Sequence, residues 1–211
     1  MLRVETPLAV QAFRPTLFLL ERLLLALGIV LLGWYGLDRL QTAYDQALAS
    51  REFEEIRMAA PASDSAPSSR LAPGDIVGRV AIPRVGVSAI VREGDDAAIL
   101  RRAVGHIPGT ALPGGTGNAA LAGHRDTFFR GLRNIREGDE IVLSTAAGEA
   151  RYVVETTRIV DPSEVSVLAP TEGPVLTLVT CYPFNYIGAA PRRFIVRAER
   201  TEWIGGNGEE R

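Results

Sequence analysis

Apolar and polar positions change rhythm three times along this chain. Residues 23–37, "LLLALGIVLLGWYGL", run fifteen positions without a charge. Extended back over 17–22, the run reaches the roughly 20 mostly apolar residues that a bilayer crossing needs. Glu21 and Arg22 then lie inside it and must reach the headgroups by snorkelling. Trp34 and Tyr35 sit at the far end, where aromatic belts form. The pattern predicts an uncleaved signal-anchor helix over 17–37. A buried core helix or a signal-peptide core would also be apolar, and "ALAS" at 47–50 resembles a cleavage site. That site, however, lies ten residues beyond the apolar run, across a stretch with helical character.

The second rhythm is polar. "LDRLQTAYDQALASREFEEIRM" (37–58) favours a helix and reads as a stalk. "AAPASDSAPSSRLAPG" (59–74) is rich in Ala, Pro and Ser and nearly without large apolar residues. Such a segment does not repay the entropy of ordering. Residues 38–74 therefore read as stalk and flexible tether.

From 75 to 203 short β-rich runs take over. They are "IVGRVAIP", "VSAIVRE", "NAALAGH", "DEIVLST", "ARYVVETTRIV", "VLTLVTC" and "RFIVRAE". Gly- and Pro-bearing turns separate them. "DDAAILRRAVG" (95–105) reads as one short helix ended by Gly105. Seven strands with little helix predict a mainly β domain, a closed or nearly closed barrel. A parallel α/β fold would need a helix between most strands. Residues 204–211 read as a frayed, disordered tail.

Composition narrows the chemistry. The formal net charge of -2 argues against a general nucleic-acid binder. Every basic residue is Arg, which excludes a lysine nucleophile. A single cysteine, Cys181, forms no internal disulfide, and no His/Cys cluster has metal-ligand spacing, so neither metal nor cofactor is expected. Arg3, Arg14 and Arg22 flank one side of the apolar run and Arg39 and Arg51 the other. With the terminal amine, this balance predicts residues 1–16 in the cytoplasm and the β domain outside.

Cys181 ends the run "VLTLVT", and Pro183 turns the chain two residues later. A strand-end cysteine projects into a cleft or packs inside, and free cysteine is among the most buried residue types. His124 also ends a strand candidate, beside Arg125 and Asp126, whereas His106 follows the short helix. Strand-end position and charged neighbours favour His124 for function. In "APRRFIVRAER", strand alternation gives Arg193 and Arg197 one face and Arg192 the other. Thiol, imidazole and guanidinium suit acyl transfer: an activated thiolate, a proton donor and a cation for the developing oxyanion.

"LAGHRDTFF", "TLVTCYPF" and "APRRFIV", in this order behind an apolar N-terminal helix, resemble the sortases, most closely the class D type. The resemblance covers about 75–200. It implies a closed eight-stranded β-barrel, one strand more than the pattern supplies. It carries the nucleophile onto Cys181, the histidine onto His124 and the arginine onto Arg193, with Arg192 adjacent. It further implies a membrane-anchored transpeptidase that cleaves an LPxTG-like sorting motif of a secreted protein through a thioacyl enzyme. An amine partner, from a peptidoglycan precursor or a pilin lysine, then resolves that intermediate. Two other readings keep the residues: an envelope cysteine peptidase that hydrolyses its product, and a membrane-tethered β-barrel adaptor without catalysis. An L,D-transpeptidase needs Cys two residues after His, and here they are 57 apart.

Overall fold

A computed structural model describes residues 8–59 and 71–205. Two compact units divide the chain after Tyr44.

The first unit is carried by helix α1 (Leu8–Ala59). From Leu17 to Leu37 its large apolar side chains are exposed on all sides. A helix apolar all round has no polar face to give to water, which suits a bilayer. It is the one helix among the described residues long and apolar enough to cross a membrane.

The second unit starts in the last turns of α1. These are helical, as the pattern predicts, but they are not a free-standing stalk. Ala49 and Phe53, four residues apart and so on one helix face, are buried against Ile90 and Ile76. Gln46 adds a two-ended polar contact: its Oε1 accepts from the Ile90 amide at 3.0 Å, and its Nε2 donates to the Arg102 carbonyl at 2.5 Å. Most of the expected tether, 60–70, lies outside the described residues. Its end is hydrogen-bonded to the domain, with Gly74 N donating to Glu93 O at 2.8 Å.

Eight strands follow: β1 (Ile76–Ile82), β2 (Val87–Glu93), β3 (Val104–His106), β4 (Asn118–Ala122), β5 (Glu140–Ser144), β6 (Gly148–Val160), β7 (Val175–Tyr182) and β8 (Arg192–Gly205). They close into a barrel in the order β1-β2-β3-β4-β7-β8-β6-β5. β2/β3 and β4/β7 pair parallel, and the other pairs are antiparallel. Leu121, Phe129, Leu132, Ile141, Leu143, Tyr152, Leu176 and Leu178 fill the interior.

The strand that the pattern misses is β3. The expected helix over 95–105 stops early: α2 spans only Ala97–Leu100, with the Asp96 carboxylate accepting from the Ala98 and Ile99 amides. The chain then returns beside β2, Val104 abreast of Val91 and His106 abreast of Glu93. Gly105 does not end the helix; it is the centre of this strand. A Cβ there would meet the Gly94 carbonyl oxygen at 2.3 Å, so only glycine lets the two segments approach. At the other end, β8 runs to Gly205, paired with Gly148, so 204–205 belong to the barrel. Residues 206–211 lie outside the described residues.

Candidate active site

The three adjacent strands β4, β7 and β8 build the site, with Cys181 on the middle one. Leu176 and Leu178 of β7, Ala119 and Leu121 of β4, and Val196 and Ala198 of β8 all point into the core. Side chains alternate across a strand. Cys181, Arg193 and the even-numbered residues of β4 therefore face outward, on one common surface. Arg193 is the direct partner of Cys181 in the antiparallel β7–β8 ladder, and Arg192 is the partner of Tyr182. Residues opposite one another in such a ladder have Cβ atoms roughly 5 Å apart.

His124 comes from the other side. The parallel β4–β7 register ends with Ala122 abreast of Val179. Carried two residues further, it brings His124 abreast of Cys181. The intervening backbone is fixed: Gly123 N donates to Val179 O at 3.1 Å, and Thr180 Oγ1 donates to Gly123 O at 2.7 Å. Beyond it, Phe129 N donates to His124 O at 3.1 Å, closing a tight turn. A Cβ on Gly123 would meet the Phe129 ring at 2.7 Å, so glycine is what lets that ring seat under the turn. The His124 ring is partly exposed and makes no hydrogen bond among the described residues. His124, just past the end of β4, thus falls in one row with Cys181 on β7 and Arg193 on β8.

Cys181 is partly exposed and free. Its strand end is held from below by an aromatic group on the core side: Tyr182 stacks on Phe194 at 6.3 Å between centroids, and Phe184 meets Phe194 edge-on at 5.3 Å. Arg193 donates through Nη1 to the carbonyls of Ala190 and Arg192, at 3.3 and 3.1 Å. The rest of its guanidinium makes no hydrogen bond among the described residues.

Behind the row, the outward surface is apolar and then closes. Ala122 and Val179, both partly exposed, lie side by side next to this row, and Ile195 beside them is buried. Four residues further back on the strands, Asn118 is buried: its Nδ2 donates to the carbonyls of Val167 and Ala169 (3.0 and 3.1 Å), and its Oδ1 accepts from Thr177 Oγ1 at 2.7 Å. These bonds pin the β6–β7 connection over the floor. Sequence reading missed Asn118, because nothing in a strand-initial Asn announces that it anchors a loop 49 to 51 residues further along the chain. It also missed Arg125, which donates to three carbonyls of the loop after Cys181.

His106 stands apart. It is 2% exposed, with Nδ1 at 2.6 Å from Glu93 Oε2 and Nε2 at 2.9 Å from Ala111 O and 3.1 Å from Thr110 Oγ1. Both ring nitrogens are occupied in the barrel wall. Among the described residues, no group of three or more His, Cys, Asp or Glu side chains is arranged to hold a metal ion.

Comparison with known proteins agrees with this geometry. The Sortase domain family matches residues 80–201. Sortase D of Bacillus subtilis is 32% identical over 189 residues, 84% of this chain and 96% of that protein. Sortase A of Listeria monocytogenes is 30% identical over 137 residues, 63% of this chain and 61% of its own length. Among solved structures, a Clostridium perfringens Sortase D5 transpeptidase superposes with a TM-score of 0.63 at 28% identity, covering 71% of this chain and 94% of that one. With the closed eight-stranded barrel, these matches establish that the chain belongs to the sortase family and is of the class D type.

Proposed function

We propose that this protein is a membrane-anchored cysteine transpeptidase whose catalytic domain spans 75–203 and whose reacting groups are Cys181, His124 and Arg193. The observation that carries this reading is the row itself: the only thiol in the chain, with an imidazole on one side and a guanidinium on the other, on an open strand end.

The chemistry follows from the groups. The Cys181 thiolate attacks the carbonyl carbon of a threonyl–glycyl bond in an LPxTG-like sorting motif, and the carbonyl electrons move onto oxygen. Arg193 donates hydrogen bonds to that oxyanion. Collapse expels the glycyl amine, which takes a proton from His124, and leaves a thioester on Cys181. An acceptor amine on a cell-envelope component or a pilin attacks the thioester, giving a proton back to His124 as the thiolate departs. One peptide bond is broken and one amide is made, with no net redox change. The partly exposed apolar strip Ala122–Val179 suits the side chains of an extended peptide that approaches the row.

Helix 17–37 crosses the membrane in this reading, with residues 1–16 cytoplasmic and the barrel on the outer face. Protease added to intact spheroplasts should then remove the barrel. Protection there, with cleavage only after lysis, would reverse the orientation.

The test of function is incubation of the full chain in detergent with an internally quenched Leu-Pro-Xaa-Thr-Gly peptide and a glycine-based amine. A thioacyl adduct on Cys181 and a ligated product by mass spectrometry support transpeptidation. Hydrolysed product alone, in excess amine, would make it a peptidase. Cleavage that survives Cys181→Ala would overturn the reading.

A further inference from the structure

Building on that acyl-transfer reading, we propose that Arg125 is a positioning and specificity-determining residue: its guanidinium holds the loop 183–191 in a fixed shape over the cleft, so that Tyr186 and Ile187 form an apolar wall for the substrate peptide.

Arg125 follows His124 directly, yet its contacts lie on the far side of the nucleophile. Nη1 donates to Pro183 O at 3.0 Å, and Nη2 donates to Tyr186 O at 2.7 Å and Gly188 O at 3.1 Å. Its Cζ lies 5.9 Å from the centre of the Tyr186 ring. One side chain therefore ties the turn that carries His124 to the loop that leaves Cys181. The loop needs such a tie. It lies between β7 and β8, and among the described residues its amides from 184 to 190 make no backbone hydrogen bond outside the regular elements. A segment with few hydrogen bonds and exposed side chains opens easily. A planar guanidinium spreads its donors over two terminal nitrogens in a fixed fork, which lets one side chain serve carbonyls spaced along a loop, whereas an ammonium concentrates its donors on one atom.

The side chains held by the clamp identify what it is for. Among the described residues, Ile187 is 98% exposed and Tyr186 46% exposed. An isolated exposed apolar residue needs no explanation. Here, however, three carbonyls are bound to one cation to fix the backbone that carries it, six residues after the nucleophile. The apolar strip Ala122–Val179, partly exposed, lies on the same outward surface as Cys181. A peptide seated on that strip reaches the clamped loop as it passes the catalytic row. Arg125 touches neither the reacting atoms nor the proton path, so its loss weakens substrate binding and spares the chemical step.

Two experiments on the full chain in detergent test this. The first needs no substrate. Because the chain has a single cysteine, a Cys181→Ala, Ile187→Cys protein takes one nitroxide label at the loop tip. Its spectrum should show an ordered label with Arg125 present and a mobile one with Arg125→Lys; the same line shape in both overturns the clamp. The second uses internally quenched Leu-Pro-Xaa-Thr-Gly peptides. Arg125→Lys should raise KM ~10-fold, as when two of three hydrogen bonds are lost, with kcat within ~3-fold. Ile187→Ala should raise KM in the wild type and add little in the Arg125→Lys background, since the two act through one element. A fall in kcat at constant KM, or additive effects, would overturn the specificity role. If the wild type turns over no peptide, the acyl-transfer reading fails and with it the specificity role, while the label still decides whether Arg125 fixes the loop.

Discussion

Arg193 stands directly across the β7–β8 ladder from Cys181, and its neighbour Arg192 faces the opposite side of the sheet, across from Tyr182. The two arginines are adjacent in sequence, equal in charge and different in access to Cys181. Arg193→Ala should lower kcat by ~100-fold or more, the size expected when one oxyanion donor is removed. Arg192→Ala should leave kcat/KM within ~3-fold, as for an exposed charge away from the reacting atoms. Steady-state kinetics on the two variants decide the assignment, and equal losses would contradict it.

The two histidines should separate in the same way, along different axes. His106 is sealed in the wall between Glu93, Thr110 and the Ala111 carbonyl. His106→Ala leaves the Glu93 carboxylate without its partner and should cost about 3 kcal/mol of stability. In a domain of this size that is roughly 6–12 °C in Tm. Activity per folded molecule should persist. His124→Ala should do the reverse, with Tm unchanged and kcat down by ~100-fold or more. Thermal melts run beside the kinetics check both, and a His106 variant that folds normally but is inactive would show the wrong histidine had been chosen.

How much of this was legible in the sequence differs from strand to strand. β7 and β8 announce themselves through long β-branched runs, and alternation alone puts Arg193 and Arg197 on one face. β3 did not, because three residues are too few for a period of two to show, and Gly105 reads equally as a helix stop. Its existence depends on a tertiary fact, the close parallel approach to Gly94 and β2. Cys181 and His124 were visible as strand-end residues, but their adjacency was not: it follows from β4 and β7 being parallel neighbours, fifty-seven residues apart in the chain. Asn118 and Arg125 stayed hidden because each acts by donating to backbone carbonyls, and any sequence supplies those. The docked end of α1 was obscured by its own polarity, since only Ala49 and Phe53 are buried there.

Asp139 links stability to pH. Its carboxyl is held below the usual carboxylate range, first by hydrogen bonds from the Arg84 guanidinium and then by the Arg136 amide, against the opposing effect of burial. The unfolded chain therefore binds this proton at higher pH than the folded one. The stabilisation is complete above the ordinary Asp value of about 3.9 and is lost as pH falls through the lower, folded value. Asp139→Asn should reduce Tm on the order of 5 °C near neutral pH. The gap from wild type should shrink below about pH 4. Melting curves across that range measure it, and a gap that stays constant down to the acid limit would mean the contact is not ionic.

The end of α1 should behave as part of the barrel. β3 is only three residues long and pairs with β2 from Val91 to Glu93, which leaves the Ile90 amide without a strand partner on that side. Gln46 supplies the acceptor, and the Phe53 ring, 2% exposed, covers Ile90 beside it. Removing this helix end exposes both an amide and an apolar side chain in the barrel wall. Phe53→Ala should therefore destabilise the catalytic domain by about 3 kcal/mol, the lower end for a buried phenylalanine. Gln46→Leu keeps the side-chain bulk but removes the acceptor, and should cost about 1–2 kcal/mol. Denaturant unfolding of the full chain in detergent, followed by the fluorescence of Trp203, reads both. Neither substitution touches the row of His124, Cys181 and Arg193, so kcat of the folded enzyme should stay within ~3-fold of wild type. If both variants melt with the wild type, these turns of α1 act as a tether and contribute nothing to the barrel.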